Sequence, residues 1–126
     1  MPAPETVYAR RIVATPAAID ALAALQASIL RVAPDEAIVF GDNPRLVVDD
    51  IHAIIEGETG LTSLRFATLE FTAKVRPHIE WELPHARPAL AQGLVAAVPC
   101  KLWLDDDHVL VICASAVADE LAERLR

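Results

Sequence analysis

The chain has 126 residues, with eighteen acidic side chains against eleven basic ones and a net charge of -7; that is the length of one domain, and the charge repels phosphate backbones and anionic lipid surfaces. Nucleic acid and membrane are therefore not expected partners, no apolar run approaches the roughly 20 residues needed to cross a bilayer, and Met1–Thr6 lacks the basic and apolar regions of a signal peptide, so a cytosolic location is expected. The 54% hydrophobic content comes largely from Ala, Val, Leu and Ile, with three Phe, two Trp and one Tyr, which implies a core of small and branched side chains, as when Ala-rich helices cover strands.

Val7 to Ala14 reads as a first strand. Thr15-Pro16 then supplies an N-cap hydroxyl followed by proline at the first helical position, so a helix is expected to begin there. Ile19, Leu22, Leu25, Ile29 and Leu30 recur at spacings of three and four, carrying the predicted helix to Leu30, with Pro34-Asp35-Glu36 as its break. Ala37 to Phe40 and Leu46 to Asp49 are short apolar strands around the turn residues Gly41-Asp42-Asn43-Pro44, a predicted hairpin. His52 to Glu56 and Leu61 to Phe66 flank Gly57 and Gly60 in the same manner. Thr68 is placed to cap a short helix running towards Arg76 and stopped by Pro77.

The stretch His78-Ile79-Glu80-Trp81-Glu82-Leu83 alternates polar and apolar residues. As a strand it would turn His78, Glu80 and Glu82 to a wet face and Ile79, Trp81 and Leu83 to the other. Pro88 to Gln92 reads as one helical turn closed by Gly93. Leu94 to Leu104 and Val109 to Ala114 read as a longer hairpin around Asp105-Asp106-Asp107-His108, and Ser115 as the cap of a final helix to Arg126. Leu46-Val47-Val48-Asp49-Asp50-Ile51-His52 is similar to Leu102-Trp103-Leu104-Asp105-Asp106-Asp107-His108. A duplicated half-unit would produce that likeness, and so would the common order of strand, acidic turn and strand.

Cys100 and Cys113 fall in neighbouring predicted strands, and a two-residue loop at Asp106-Asp107 would set them directly opposite one another; a loop one residue longer would not. Without a CxxC or a zinc-type cluster, the expectation is a pair of small buried hydrophobes in a reducing compartment. His78-x-Glu80 with Pro99-Cys100 is similar to part of the zinc deaminase signature, but Trp103 stands where the second cysteine belongs. His78, Glu80 and His85 together offer two imidazoles and a carboxylate, the donor set of an open catalytic metal site, against the alternative of a solvated rim. The acidic turns Asp49-Asp50 and Asp105-Asp106-Asp107 present carboxylates to a hard cation but lack the glycine and glutamate of a calcium loop. No phosphate-cradling glycine motif or nucleophile signature occurs, so no catalytic centre is assembled from the residues alone. Trp81 and Trp103 lie on predicted strands, as core aromatics or, if turned outward, as anchors for a partner.

Two segments, Val32-Ala33-Pro34-Asp35-Glu36-Ala37-Ile38-Val39 and Val47-Val48-Asp49-Asp50-Ile51-His52-Ala53, resemble adjacent stretches of the γ subunit of heterotetrameric sarcosine oxidase, which itself resembles the folate-binding T-protein of the glycine cleavage system. Ala91-Gln92-Gly93, Lys101-Leu102-Trp103-Leu104, Val109-Leu110-Val111-Ile112 and Leu121-Ala122-Glu123-Arg124-Leu125 are similar to that family's closing hairpin and helix. No T-protein folate ligand carries over to a residue here. The resemblance implies a small non-catalytic subunit with no cofactor of its own, docked on larger subunits that hold flavin and folate.

The expected fold is a single α+β domain over residues 1–126, mostly an antiparallel sheet of hairpins with helices on one face. The expected function is a binding or assembly module resembling the sarcosine-oxidase γ subunit, with Trp81 and Trp103 as candidate partner contacts. The alternatives are a small metal-dependent enzyme using the polar face of His78, Glu80 and His85, and a stand-alone homo-oligomer whose apolar surface is buried against itself.

Overall fold

The computed structural model describes residues 2–25, 28–41 and 46–126. Among them the chain forms an α+β fold dominated by two antiparallel sheets. It divides into two compact units: Val7–Thr59, and Gly60–Arg126 together with the N-terminal residues through Thr6. No linker composition marks the division at Thr59-Gly60.

The first unit in space contains β2 (Ala9–Val13), α1 (Pro16–Leu25), β3 (Ile29–Ala33), β4 (Glu36–Phe40) and β5 (Ile54–Glu58), its sheet ordered β3-β4-β2-β5. α1 begins where the sequence places it: the Ala18 N–H donates to Thr15 Oγ1 at 3.3 Å, so Thr15 is the cap and Pro16 the first helical residue. Ala18, Ile19 and Leu22 cover Ile12, Ala37 and Val39 of the sheet, a small aliphatic core on one sheet face.

The helix does not run to Leu30. It ends at Leu25, and Ile29 and Leu30 open strand β3, whose neighbour β4 follows after Pro34-Asp35. Spacings of three and four fit both readings here. The branched residues of Ile29–Ala33 and a turn at Pro34-Asp35 favour an antiparallel hairpin, Ile29 opposite Val39 and Leu30 opposite Ile38. β4 is thus consumed by β3 and β2 instead of by Leu46–Asp49, which forms no strand. The turn expected at 42–44 lies outside the described residues. Leu46–His52 and Leu102–His108 consequently fold differently, one as a loop and the other as a strand with its turn, and the fold has no duplicated half-unit there.

The second unit contains β1 (Glu5–Thr6), β6 (Leu61–Ala67), α2 (Thr68–Lys74), β7 (Ala89–Val95), β8 (Val98–Leu104), β9 (His108–Ala114) and α3 (Ala118–Arg124), its sheet ordered β1-β6-β9-β8-β7. Phe71 of α2 and Ala118 and Leu121 of α3 pack with Phe66, Leu102 and Val111 in the larger core. Helices cover one face of the sheet, as expected.

Both predicted caps move by one place or more. Thr68 is the first residue of α2, with Ala67 in the cap position, and Ser115 opens a 3-10 turn that precedes α3, sharing a hydrogen bond with Thr62 at 2.6 Å. Pro77 does not stop a helix abruptly but sits in a 3-10 turn, Arg76–His78. β5 and β6, expected as a hairpin, belong to different sheets.

Pro88–Gln92 is no helical turn, since Ala89 already opens β7. The long strand expected from Leu94 is a hairpin whose two-residue loop is Ala96-Ala97. Both loop residues have positive φ, 49° and 65°. This handedness matches the twist of a tight hairpin but is ordinarily supplied by Asn or Gly, so the alanines gave no sequence signal.

Candidate functional site

The polar stretch after α2 organises the site region. His78 ends the 3-10 turn, and residues 79–85 run without a ladder partner. The alternation in the sequence survives all the same: Ile79 is buried, Trp81 and Leu83 half-buried, and His78, Glu80 and Glu82 exposed. The extended segment therefore lies on the unit's core edge by side-chain packing, anchored where the His78 carbonyl accepts the Ala96 N–H at 3.1 Å.

Trp81 is the centre of that packing. A Cβ placed on Gly93 would lie 2.3, 2.5 and 2.6 Å from Cε2, Nε1 and Cζ2 of the indole. Three bonded ring atoms at such similar distances place the glycine over the ring face, and only a residue without a side chain leaves room for it. The indole Nε1–H donates to the Leu94 carbonyl at 2.9 Å, which fixes the ring in its plane. Beside it opens a hollow of about 510 Å³, walled by Pro77, Leu94, Ala96 and Ala97 and carrying His78, Glu80 and Trp81.

His85 does not join them. It lines a second hollow of about 330 Å³, together with Arg76, Glu82, Arg87 and Asp105. Its Nε2 lies 3.7 Å from Glu82 Oε1, both side chains standing almost wholly in solvent. The guanidinium of Arg76 donates to the Ile79 carbonyl, and that of Arg87 to the Pro84 and Ala86 carbonyls. Both arginines thus hold the irregular segment in place. The donor set of two imidazoles and a carboxylate anticipated from the sequence is divided between two hollows.

Among the described residues, the group whose ligand atoms come within 4.8 Å of one another is Asp105, Asp107 and His108. The loop at Asp106-Asp107 has two residues, because the Asp105 N–H donates to the His108 carbonyl at 3.0 Å. Asp105 and His108 are thereby set across from one another. His108 Nδ1 and Asp107 Oδ1 are 2.6 Å apart, and this bond holds the Asp107 carboxyl below its ordinary range. The sequence singled out the three aspartates of this turn. The part of His108 depends on the hairpin register, which only the loop length determines.

The other acidic turn is structural. Asp50 Oδ2 accepts the Thr15 N–H at 3.0 Å, and Oδ1 accepts the His52 N–H at 2.9 Å. These bonds, the one from His52 foremost, lower its pKa, and they tie the loop after β4 to the start of α1. A carboxylate spent on two backbone donors is a poor cation ligand.

Cys100 is buried in the larger core, and Trp103 stands on β8 at the position where the deaminase pattern needs a second thiol. Trp103 stands half-buried on β8, directly opposite Leu90 of β7 and Leu110 of β9. The three form a cross-strand apolar stripe on the sheet face away from the helices. Among the described residues, no helix is long and apolar enough to cross a membrane. No protein-family model matches the chain, and no curated protein is significantly similar to it.

Proposed function

We propose that the chain is a non-catalytic binding and assembly module, of the kind represented by the small γ subunit of heteromeric sarcosine-oxidase-type flavoenzymes, with flavin and folate held by larger partner subunits. The observation that supports this reading is an apolar, unpaired sheet edge. Among the described residues, β5 closes one side of its sheet and pairs only with β2. Ile54 and Ile55 on it are 51% and 42% exposed, and the loop leading in carries Val47 and Ile51 at 81% and 95%. A strand edge presents a row of free N–H and C=O groups, and natural proteins ordinarily blunt such edges with charge, proline or a cover. Here aliphatic side chains flank the first half of the edge, which suits an extended partner segment added as a further strand. The stripe of Leu90, Trp103 and Leu110 offers a second apolar contact, whereas Trp81 is engaged by its own fold.

The test is capture of partners by the tagged chain from its native extract, followed by native mass and an absorbance spectrum. A yellow complex containing a larger amine-oxidising subunit, lost with Ile54→Lys, is the expected result. A colourless monomer or homodimer with no partner refutes the assembly reading.

A further inference from the structure

The geometry points to a second role for the second unit: the hollow beside Trp81 binds a small alkylated ammonium ion, with the indole and Glu80 as its recognition elements. Three observations converge on that ligand class. The indole is held rigidly by Gly93 beneath it and by the Nε1–H bond to Leu94. Its one polar donor is thus already used, and what the ring offers a ligand is its π-electron surface. An aromatic surface of this kind attracts cations, and quaternary or alkylated ammonium ions best among organic groups, because they surrender little hydration.

The charge of the hollow agrees. Glu80 contributes a carboxylate with no ion-pair partner among the described residues, and neither lysine nor arginine is among the lining side chains. The Arg124 guanidinium donates to the Ala96 carbonyl from outside the lining and is paired with Glu120. An anionic ligand would meet Glu80 unopposed, and a neutral apolar one would gain nothing from it.

The third observation is size and wall chemistry. A volume of about 510 Å³ lies within the range of small-molecule sites. Pro77, Leu94, Ala96 and Ala97 give methyl and methylene walls for N-alkyl groups, and the His78 imidazole stands among them. This assignment is independent of the sheet-edge reading, since none of its residues lies on β5.

The experiment is a titration of the intact chain with tetramethylammonium chloride, followed through the NMR signal of the Trp81 Nε1–H, which Trp81→Phe identifies. The neutral isostere 2,2-dimethylpropanol and Nα-acetyl-lysine methylamide are titrated in parallel. A saturable shift with tetramethylammonium, weakened roughly fivefold by Glu80→Gln at this exposed site, is expected. Glu80 is on the surface, so the substitution leaves the fold intact, and unchanged amide spectra will show it. Equal binding of the neutral isostere, or no saturable shift, overturns the site. Tighter binding of the lysine derivative overturns a free small cation as the ligand and assigns the pocket to a lysine side chain.

Discussion

Cys100 and Cys113 face one another across β8 and β9. The register from Leu104 opposite Val109 to Lys101 opposite Ile112, extended by one residue, makes them a pair. The Asp105 N–H donates to the His108 carbonyl at the turn, which puts Leu104 with Val109 in the non-bonded class, and by alternation the Cys100 and Cys113 positions too. That is the class in which side chains approach most closely. Burial, with Cys113 nearby, pushes the Cys100 thiol up to about 12, and burial raises Cys113 as well. Both thiols are therefore protonated at neutral pH and poor nucleophiles. Titration with an aromatic disulfide reagent at pH 8 is expected to be slow for the folded chain and to count both thiols once it is unfolded. Cys100→Ser is expected to lower stability by about 1–3 kcal/mol in urea unfolding, by burying a hydroxyl without a partner.

Gly93→Ala is expected to dislodge Trp81. The added methyl would overlap the indole, and the ring must swing away, losing its bond to the Leu94 carbonyl. Overpacking of this sort costs about 1–3 kcal/mol. Urea unfolding checks the magnitude, and the Trp81 indole N–H resonance checks the mechanism, since it should move towards the solvent-exposed position in the variant.

At Ala97, with φ of 65°, glycine relieves a backbone conformation that L-residues adopt at a cost of roughly 1 kcal/mol. Ala97→Gly is expected to raise the midpoint of thermal unfolding slightly, the relief being offset in part by the greater freedom of glycine in the unfolded chain. A fall in the midpoint would show that the β7–β8 turn is not strained at this residue.

Asp50 links acid stability to the start of α1. Its pKa in the folded chain lies below the ordinary value of 3.8. The stability it contributes is thus fully present above that value and is lost as pH falls through it towards the depressed one. Asp50→Asn is expected to lower the thermal midpoint at pH 7, and the deficit is expected to shrink as the pH falls below 3.8 and the wild-type carboxyl takes up its proton. A deficit that stays constant on acidification, down to the pH at which the wild-type carboxyl is shown by NMR to be protonated, would assign the effect to packing.

Much of the fold was legible because local chemistry and tertiary structure agree. Thr15-Pro16 starts α1 in the folded chain as in the sequence, and the acidic residues around Asp106 mark the β8–β9 turn. The errors fall where one pattern serves two structures. Ile29 and Leu30 continue the helical spacing of Leu22 and Leu25, yet they are the strand partners of Val39 and Ile38, a pairing only the tertiary fold supplies. The Ala96-Ala97 loop carries neither Gly nor Asn, so the strand on either side of it read as one. In the site region, alternation gave the burial of Ile79, Trp81 and Leu83 correctly without a sheet to support it. The separation of His85 from His78 followed from the course of the chain around Pro84, which no period encodes.

The pairing of β1 with β6 sets Glu5 opposite Ser63 and Thr6 opposite Thr62, so the chain leaves this ladder at Thr6 and returns to it at Gly60. All of Val7–Thr59 is therefore the loop of a hairpin whose two strands belong to the other unit. Closing a long flexible loop costs only about 0.6 kcal/mol more for each doubling of its length. While Val7–Thr59 is still unfolded, its length therefore adds little to the cost of bringing β1 to β6.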